Sequence, residues 1–392
     1  MNENIGIFLF AVLQSLFMAA VLSFTLCYMK KIGVSDKICK ISEWFYDLFI
    51  LFPMYAMTMT NDTNFCIFNM ILCLIMIEIV RTKGQCFSQK WFMIVLFFDG
   101  ILIMLTKKQG KYIVLFAMFA MLFAARKYWK QILLPTLGAL FVFSVLFTKL
   151  LLPALDVGPG RIRGALSMPF QQTARYIKEY PDDLTQSDLV VLSKVMNPDI
   201  VAEKYNPNFA DPVKNTFQLK ATKRELLDYI LVWGKCFLKH PDSYIQAAFN
   251  LGYGYIYPGL IKSDMVYDTK IDLIFYEGEG LAFQNVKIFE SARLFLDELG
   301  QLLTRIPVLS LFMSMGFMAW IHFSAISYTI VKKQFKRKIP VFIVVLTNIL
   351  ICMVSPVNAL TRYAFYIYLC TPLIAGYTVM GDSHTKTLQN GD

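Results

Sequence analysis

A short polar loop between two apolar segments contains the first candidate catalytic group. Asp62 is the only acid in the loop TNDTN at 60–64, and Asn61 and Asn64 flank it. A carboxylate at the edge of a membrane segment can act as a general base or bind a cation. A solvated Asx turn would place the same residues there without a chemical role. The sequence leaves both interpretations open.

Basic residues outside the apolar segments have the chemistry to hold a phosphate. Ammonium and guanidinium groups bind phosphate through charge-assisted hydrogen bonds. The same cations can instead extend to lipid headgroups without forming a specific site. The candidates are Lys107, Lys108 and Lys111 in the loop TKKQGK, Arg161, Arg163 and Arg175 in the central hydrophilic block, and Arg362 in SPVNALTRY.

Two amides and a guanidinium share one face of a predicted helix. Gln171 and Gln172 precede Arg175 by four and three residues, and this spacing places neighbours on one helix face. Such a group suits sugar hydroxyls or a phosphate. An amphipathic helix at the membrane interface, with an ordinary polar face, is the alternative.

Aromatic residues alternate at the end of the hydrophilic block. Tyr253, Tyr255 and Tyr257 precede Pro258. An extended segment with this alternation would form a platform for a sugar ring, whereas an aromatic belt at the membrane interface is the commoner explanation.

Asp99 lies near the middle of an apolar segment. An ionisable residue in that position is a functional candidate by default, and an interhelical hydrogen bond is its structural alternative. His322 and Asn348 are weaker candidates of the same kind.

No metal or cofactor is predicted. The acids Asp272, Glu277 and Glu279 match no calcium or zinc pattern, and the cysteines and histidines lack zinc-site spacing. Cys236 is the only cysteine of the hydrophilic block, so no disulfide is predicted within it.

The composition excludes an ordinary soluble protein. Of 392 residues, 56% are hydrophobic and only 17% are charged, and the mean hydropathy is +0.51. The apolar residues form long blocks separated by short basic strings, as expected of helices that face lipid. The sequence therefore predicts an all-α, polytopic transmembrane helical bundle.

Nine apolar segments are predicted to span the membrane, since roughly 20 helical residues cross a hydrocarbon core of about 30 Å. A re-entrant segment is an alternative at 45–59, which contains Asp47 and Pro53, and at 112–124, which is short. The predicted spans are 5–29, 45–59, 65–80, 91–105, 112–124, 131–152, 306–331, 339–354 and 364–380.

The Lys and Arg residues of the short loops predict the orientation. Sixteen fall on one set of alternating loops and the tail, and five on the other. The side with more positive charge is predicted to be cytoplasmic. Because the cations are divided among strings that flank the spans, nucleic-acid binding is excluded.

This orientation predicts four regions in the cell membrane. They are a bundle of six spans at 1–152, an extracytoplasmic insert at 153–305, a bundle of three spans at 306–380 and a cytoplasmic tail at 381–392. The insert is predicted to be mainly helical. Thr185 or Ser187 begins one of its helices, and Thr222 with Glu225 forms a capping box before another.

Several stretches across most of the chain support a family resemblance. They are NIGIFLFAVLQ at 4–14, MYAMTMTNDTNF at 54–65, SMPFQQTARYIKEY at 167–180, DPVKNTF at 211–217, HPDSYIQAAFNLGYGYIYP at 240–258 and SPVNALTRYAFYIYL at 355–369. At these residues the chain resembles an uncharacterised bacterial family of polytopic membrane proteins. That family is itself similar to GT-C glycosyltransferases of the protein-mannosyltransferase and lipid-A-aminoarabinose-transferase kind.

The resemblance implies transfer of a sugar from a polyprenyl-phosphate donor at the outer face of the membrane. A carboxylate acts as base, which points to Asp62, and polar residues surround the donor. The residues expected to bind it are Lys107, Lys108, Gln171, Gln172, Arg175, Tyr253, Tyr255 and Arg362.

In that family the chain is longer, and an earlier outer loop holds the catalytic acid. This sequence starts after that point, which predicts an N-terminally incomplete copy that is either active or inactive. The family usually has Lys-Asp where this chain has Asn61 and Asp62.

Two other classes of function remain open. A transporter or flippase of a polar lipid would use a polar cavity at mid-membrane, where the sequence has Asp99, His322 and Asn348. A non-catalytic protein of envelope assembly would need none of the candidate site residues. The acceptor of a transferred sugar is not predicted.

Overall fold

Helices make up the part of the chain that the structure describes. The computed structural model describes residues 3–156, 164–261 and 287–380, and these contain two isolated β-bridges but no strand. The all-helical prediction is confirmed for these residues. Arg161, Arg163, the acids Asp272, Glu277 and Glu279, and the predicted tail at 381–392 lie outside them.

The chain divides into two compact units. Unit 1 comprises Met1–Leu155, Pro258–Ile349 and Thr361–Asp392. Unit 2 comprises Asp156–Tyr257 and Leu350–Leu360. The short segment Leu350–Leu360 therefore packs with the hydrophilic block, although it lies between two apolar segments in the sequence.

Unit 1 contains the apolar helices. A π-helical stretch, Val142–Leu151, connects the helices Trp129–Phe141 and Leu152–Ala154. The helices are α1 Glu3–Lys31, α2 Asp36–Leu48, α3 Leu51–Met57, α4 Asn61–Thr82, α5 Lys90–Thr106, α6 Gly110–Ala124, α7 Trp129–Phe141, α8 Leu152–Ala154, α15 Glu290–Arg305, α16 Leu309–Met313, α17 Met315–Val331, α18 Phe335–Met353 (in unit 1 as far as Ile349) and α19 Thr361–Val379.

Two helices form the centre of unit 1. α4 packs against α1, α5, α6 and α19, and α19 also packs against α17. Both helices are buried along most of their length. A buried helix can be apolar all round, which explains why neither has a polar face.

Within the described residues, three helices are long and apolar enough to cross a membrane: Ile5–Lys31, Asn61–Thr82 and Arg126–Ala154. Gly110–Ala124 and Met315–Val331 are shorter apolar helices. α1 and α7 expose many apolar side chains, as expected of surfaces that face lipid. The count of nine spans remains a prediction.

Two predicted spans are divided in the structure. The segment 45–59 is split between α2 and α3, because the backbone of Phe49 is extended. Pro53 lies in the first turn of α3, where its missing N–H group would have had no partner within the helix. The segment 306–331 is split at Ser314, whose hydroxyl accepts a hydrogen bond of 3.4 Å from the Phe317 amide and caps α17.

A buried lysine caps the C-terminal end of α19. Nζ of Lys338 donates hydrogen bonds of 2.9 Å to the carbonyl oxygens of Tyr377 and Thr378. The last carbonyls of a helix have no partner within the helix, and a cation there is favourable. Lys338 is therefore a helix cap, although the sequence places it among the loop charges that predict the orientation.

Unit 2 is a small helical unit around a core of its own. Its helices are α9 Ser167–Glu179, α10 Gln186–Ser193, α11 Pro198–Val201, α12 Asp211–Lys214, α13 Lys223–Lys239 and α14 Pro241–Gly252. α9 packs against α14, and α10 packs against α13. The core residues are Phe170, Ala174, Tyr176, Leu192, Val195, Met196, Val201, Val213, Tyr229, Val232, Cys236 and Tyr244.

Capping boxes begin two helices of unit 2. Thr222 and Glu225 form the predicted box before α13, and Thr185, with Asp188, forms one before α10. Burial tends to raise the pKa of Asp188, but hydrogen bonds from Lys235 and Thr185 outweigh it and hold that pKa below its usual value. Asp188 therefore stays ionised and satisfies the first turn of α10.

The segment Leu350–Leu360 is bound to the rest of unit 2 by hydrogen bonds that are buried or partly buried. The Tyr255 hydroxyl donates to the Val357 carbonyl at 2.9 Å and accepts from the Leu360 amide at 3.1 Å. Asn358 accepts from the Gly254 amide at 2.9 Å and donates to the Asn208 side chain at 2.9 Å. These bonds satisfy backbone groups of Val357 and Leu360, in a segment that is partly buried.

Gly252 is expected to tolerate no side chain. A Cβ atom there would lie 2.7 Å from the Met353 carbonyl oxygen and 3.2 Å from its Cα. We expect Gly252→Ala to destabilise unit 2 by about 1–3 kcal/mol, because backbone atoms must shift. Hydrogen exchange of peptides from unit 2, measured in the full chain in detergent, provides the test.

Gly234→Ala is the matched control. Gly234 lies within α13, and a Cβ atom there meets nothing within 4 Å. Alanine at this position should slow exchange, since it favours a helix over glycine by about 0.5–1 kcal/mol. Equal exchange in the two variants would contradict the close approach of Gly252 to Met353.

Candidate functional site

A partly buried carboxylate is paired with two cations in unit 1. Asp62 lies in the first turn of α4, and its Oδ1 accepts a hydrogen bond of 2.6 Å from Nζ of Lys107. Nε of Arg362, in the first turn of α19, lies 3.6 Å from Oδ2 of Asp62. The Asp62 and Lys107 side chains are 15% and 17% exposed, against 46% for Arg362. Three of the predicted site residues, distant in sequence, therefore lie together.

The cluster has the electrostatics of an anion site. One carboxylate and two cations leave a formal excess of one positive charge. Asp62 and Arg362 both lie at helix N-termini, where the helix dipole and free N–H groups favour a negative charge. The guanidinium has five N–H donors, more than its contact with Asp62 uses. A phosphate is the class of ligand that this arrangement favours.

Two aromatic rings lie beside the Lys107 ammonium. Its Nζ is 4.1 Å from the ring centroid of Tyr363 and 5.2 Å from that of Phe65. The Arg362 guanidinium lies 5.3 Å from the Tyr363 centroid. Attraction between a cation and a ring face helps to hold both cations near the carboxylate. Phe65 is buried and Tyr363 is half-buried, so Tyr363 is the ring of this pair that suits a ligand with an apolar surface and a negative charge.

Gln14 of α1 fixes the loop that precedes Asp62. Its Nε2 donates to the carbonyl oxygens of Ala56 and Thr58, each at 2.9 Å, and its Oε1 accepts from Nδ2 of Asn64 at 2.8 Å. Gln14 is buried. A buried amide is costly unless its donors and acceptor are satisfied, and here both ends have partners. Gln14 therefore connects α1 to the start of α4.

The other lysines of the loop point elsewhere. Lys108 is exposed, and Lys111 lies over the ring of Tyr112 at 4.8 Å. Among the described lysines of this loop, Lys107 is the one in contact with Asp62. A role for Lys108 in phosphate binding remains a prediction.

The two predicted glutamines form hydrogen bonds inside unit 2. Gln171 is fully buried and donates to the Asn206 carbonyl oxygen, while its own Oε1 has no partner among the described residues. Gln172 donates to the Tyr244 carbonyl at 3.2 Å and accepts from the Trp233 indole at 3.2 Å. These bonds connect α9 to its neighbours. A role in sugar binding remains a prediction for both.

Arg175 is held by several partners within unit 2. Its Nη2 lies 2.6 Å from Oε1 of Glu179 and donates to Gln246, and its Nη1 donates to the Tyr205 hydroxyl at 3.2 Å. Burial tends to lower the pKa of Arg175, but the bonds with Tyr205 and Glu179 outweigh it and raise that pKa. The guanidinium therefore connects the polar side chains of α9 and α14.

The predicted aromatic platform is a turn. Tyr253–Tyr255 is a single 3-10 turn rather than an extended segment. The Tyr255 ring is fully buried, so it has no face open to a ligand in this structure. Tyr253 stacks on Phe249 with 6.0 Å between ring centroids, and Tyr257 is exposed. The alternation in sequence therefore places the three rings in different environments.

Polar groups within the apolar helices of unit 1 differ in their pairing. Nε2 of His322 lies 3.0 Å from Oγ1 of Thr371, and Asn348 donates to Oδ1 of Asn69 at 3.3 Å. Asp99 is buried, and neither of its carboxylate oxygens has a hydrogen-bond partner among the described residues. Asp99 therefore forms no interhelical hydrogen bond with the described residues, and such a bond was the structural explanation for its position.

The described residues include no group of three or more His, Cys, Asp or Glu positioned to hold a metal ion.

Three contributors to the site are not predicted from the sequence. Gln14 is a lone amide in the apolar helix Ile5–Lys31. Because polar residues are rare in such helices, its position indicates a structural or functional role. Tyr363 directly follows Arg362 and could have been included with it. Phe65 has no signal of its own, since phenylalanine is common throughout the chain.

The comparisons with known proteins identify a family. The model described as "Family of unknown function (DUF6020)" matches residues 2–390, so the chain belongs to this family. No curated protein and no solved structure matches the chain. The family description states no activity, so a functional conclusion depends on the geometry of the site.

The contact between Lys107 and Asp62 is expected to stabilise unit 1. Lys107→Met leaves a partly buried carboxylate short of a partner and should lower the free energy of unfolding by about 1–3 kcal/mol. Lys108→Met, at the exposed neighbour, should change it by less than about 0.5 kcal/mol. Denaturant unfolding of the full chain in detergent measures both.

The double variant completes the test. Asp62→Asn should cost less stability in the Lys107→Met background than alone, because the interaction is already lost. Additive effects would contradict the pairing.

Proposed function

We propose that this DUF6020 protein is a GT-C-like membrane glycosyltransferase that uses a polyprenyl-phosphate-linked sugar in cell-envelope glycan synthesis. The observation that supports the proposal best is the cluster of Asp62, Lys107 and Arg362. It combines a carboxylate with two cations that exceed its charge. The resemblance of the sequence to GT-C glycosyltransferases supports this reaction.

Each member of the cluster has a role in an inverting displacement. Asp62 accepts the proton of an acceptor hydroxyl, whose oxygen forms a bond to the anomeric carbon of the sugar. The bond from that carbon to the phosphate oxygen breaks, and the polyprenyl phosphate leaves with the electron pair. Lys107 and Arg362 stabilise the negative charge that develops on the phosphate.

The contact between Asp62 and Lys107 suits this sequence of events. In the free protein the ammonium neutralises the carboxylate at 2.6 Å. A lysine is a point charge on a flexible stem, so Nζ can turn from Asp62 to a donor phosphate. Binding of the donor would thereby release the carboxylate to act as base. Tyr363, which is half-buried, would contact the apolar face of the sugar.

The membrane setting is part of the proposal. Three helices of sufficient length and apolarity support an integral membrane protein. We infer that the protein crosses the cell membrane several times, with the insert at 153–305 outside the cytoplasm. Gln171, Gln172 and Arg175 remain predicted donor-binding residues, and their described bonds lie within unit 2.

Binding and transfer are tested separately on the full chain reconstituted in lipid vesicles. The probe is a panel of radiolabelled polyprenyl-phosphate hexoses and pentoses. Asp62→Asn should retain donor binding and lower transfer by about 10²–10⁴-fold, as expected for loss of a general base. Lys107→Met and Arg362→Met should each weaken donor binding by about tenfold or more, through loss of a charge-assisted hydrogen bond.

Lys37→Met, at an exposed lysine of α2, is the control for a general effect of charge. Unchanged donor binding in both cluster variants, together with no transfer from any donor of the panel, would reject the proposal. That result would favour a non-catalytic role in envelope assembly.

A transporter or flippase of a polar lipid is the second candidate, and the buried, unpaired carboxylate of Asp99 favours it. If this function is correct, Asp99→Asn abolishes movement of a labelled lipid between leaflets of the vesicles. Asp62→Asn then has no effect on that movement. Sugar transfer that survives Asp99→Asn, with no lipid movement by the wild type, excludes this second function.

A further inference from the structure

Helix α13 of unit 2 exposes an apolar stripe. Tyr229, Val232 and Cys236 on one side of α13 are buried in the core of the unit. At 3.6 residues per turn, the opposite side presents a continuous row. That row consists of Leu227, Ile230, Leu231, Gly234 and Leu238, of which Leu231 and Leu238 are 72% and 81% exposed.

The stripe is a contiguous surface and not a set of isolated residues. Its members recur at the spacing of three and four residues that marks one helix face. A Cβ atom added at Gly234, in the middle of the stripe, would meet no atom within 4 Å, so the face is open there. Contiguous apolar surface of this kind marks a site that binds another apolar surface.

Beyond the first turn of α13, its polar residues Asp228, Lys235 and Lys239 lie on one flank of the helix. Lys235 is paired with Asp188 at 2.7 Å and Lys239 with Asp183 at 2.8 Å. The lysines of this flank therefore contact acids within unit 2. The side of α13 opposite the core consists of the apolar residues of the stripe.

Exposed cations lie at the N-terminal end of the stripe. Lys220, Lys223 and Arg224 are all exposed there. An apolar helix face next to several Lys and Arg residues is the pattern of a helix that lies in the interface of an anionic membrane. These cations attract anionic lipid headgroups, so the surface favours a negatively charged partner.

In the sequence, unit 2 directly follows a helix that is long and apolar enough to cross a bilayer. The apolar helix Arg126–Ala154, which is long enough to cross a membrane, ends just before unit 2 begins at Asp156. Unit 2 is therefore tethered to a helix that can anchor it at a membrane surface. An interfacial helix needs only weak intrinsic affinity once it is tethered, because the local concentration of lipid is high.

We propose that the stripe of α13 binds the surface of an anionic lipid bilayer, with Leu231 and Leu238 among the acyl chains and Lys220, Lys223 and Arg224 at the headgroups. This inference concerns an interaction surface and does not depend on the proposed enzymatic activity. A second copy of the chain is the competing partner, and the experiment distinguishes the two.

The test uses photo-crosslinking of the full chain in vesicles. A benzophenone amino acid is placed at Leu231, at Leu238 or, as a matched control, at Asp228 on the polar flank of α13. The vesicles contain phosphatidylcholine with or without phosphatidylglycerol. Because Leu231 and Leu238 are exposed, the probe should leave the fold intact, and unfolding temperatures in detergent check this.

Lipid adducts at Leu231 and Leu238, several times more abundant than at Asp228, are the expected result. Removing phosphatidylglycerol, or introducing Lys223→Gln with Arg224→Gln, should reduce them. Crosslinks between two protein chains would assign the stripe to a homotypic interface and overturn the proposal. Equal or absent lipid adducts at the three positions would overturn it as well.

Discussion

A carboxylate removed from most of its water must be paired, and this constraint organises the candidate site. Asp62 meets it with Lys107 at 2.6 Å and with Arg362 at 3.6 Å. The two cations come from the loop between α5 and α6 and from the start of α19. Their contacts therefore connect three segments that are far apart in sequence. The same pairing leaves one positive charge in excess, which is the basis for expecting an anionic ligand.

The helices that present these residues are positioned by apolar packing and a few buried polar groups. α4 and α19 are buried along most of their length and pack against each other. Gln14 joins α1 to the loop before α4, and Asn348 joins α18 to Asn69. In apolar surroundings such bonds have no competition from water, so a small number of them can specify how the helices align.

Much of the helical content could be predicted from the sequence, and less of the site. Long apolar runs located α4, α5 and α6 within a few residues, and Thr222 with Glu225 marked the start of α13. Asp47 and Pro53 pointed to an irregular segment at 45–59, although not to a break at Phe49. The break at Ser314 was not predicted, because an apolar run does not reveal a local turn. Asp62, Lys107 and Arg362 were each predicted from their residue types, whereas their pairing depends on tertiary packing. The alternation of Tyr253 and Tyr255 likewise did not reveal that one ring is buried.

Lys338 shows how a buried cation can complete the C-terminal end of an apolar helix. Its ammonium occupies the carbonyls that water would otherwise hydrate, so the C-terminal end of α19 is satisfied in a dry environment. The charge of Lys338 therefore serves to terminate a helix. A basic residue that closes a helix in this way belongs to the architecture of the protein's interior.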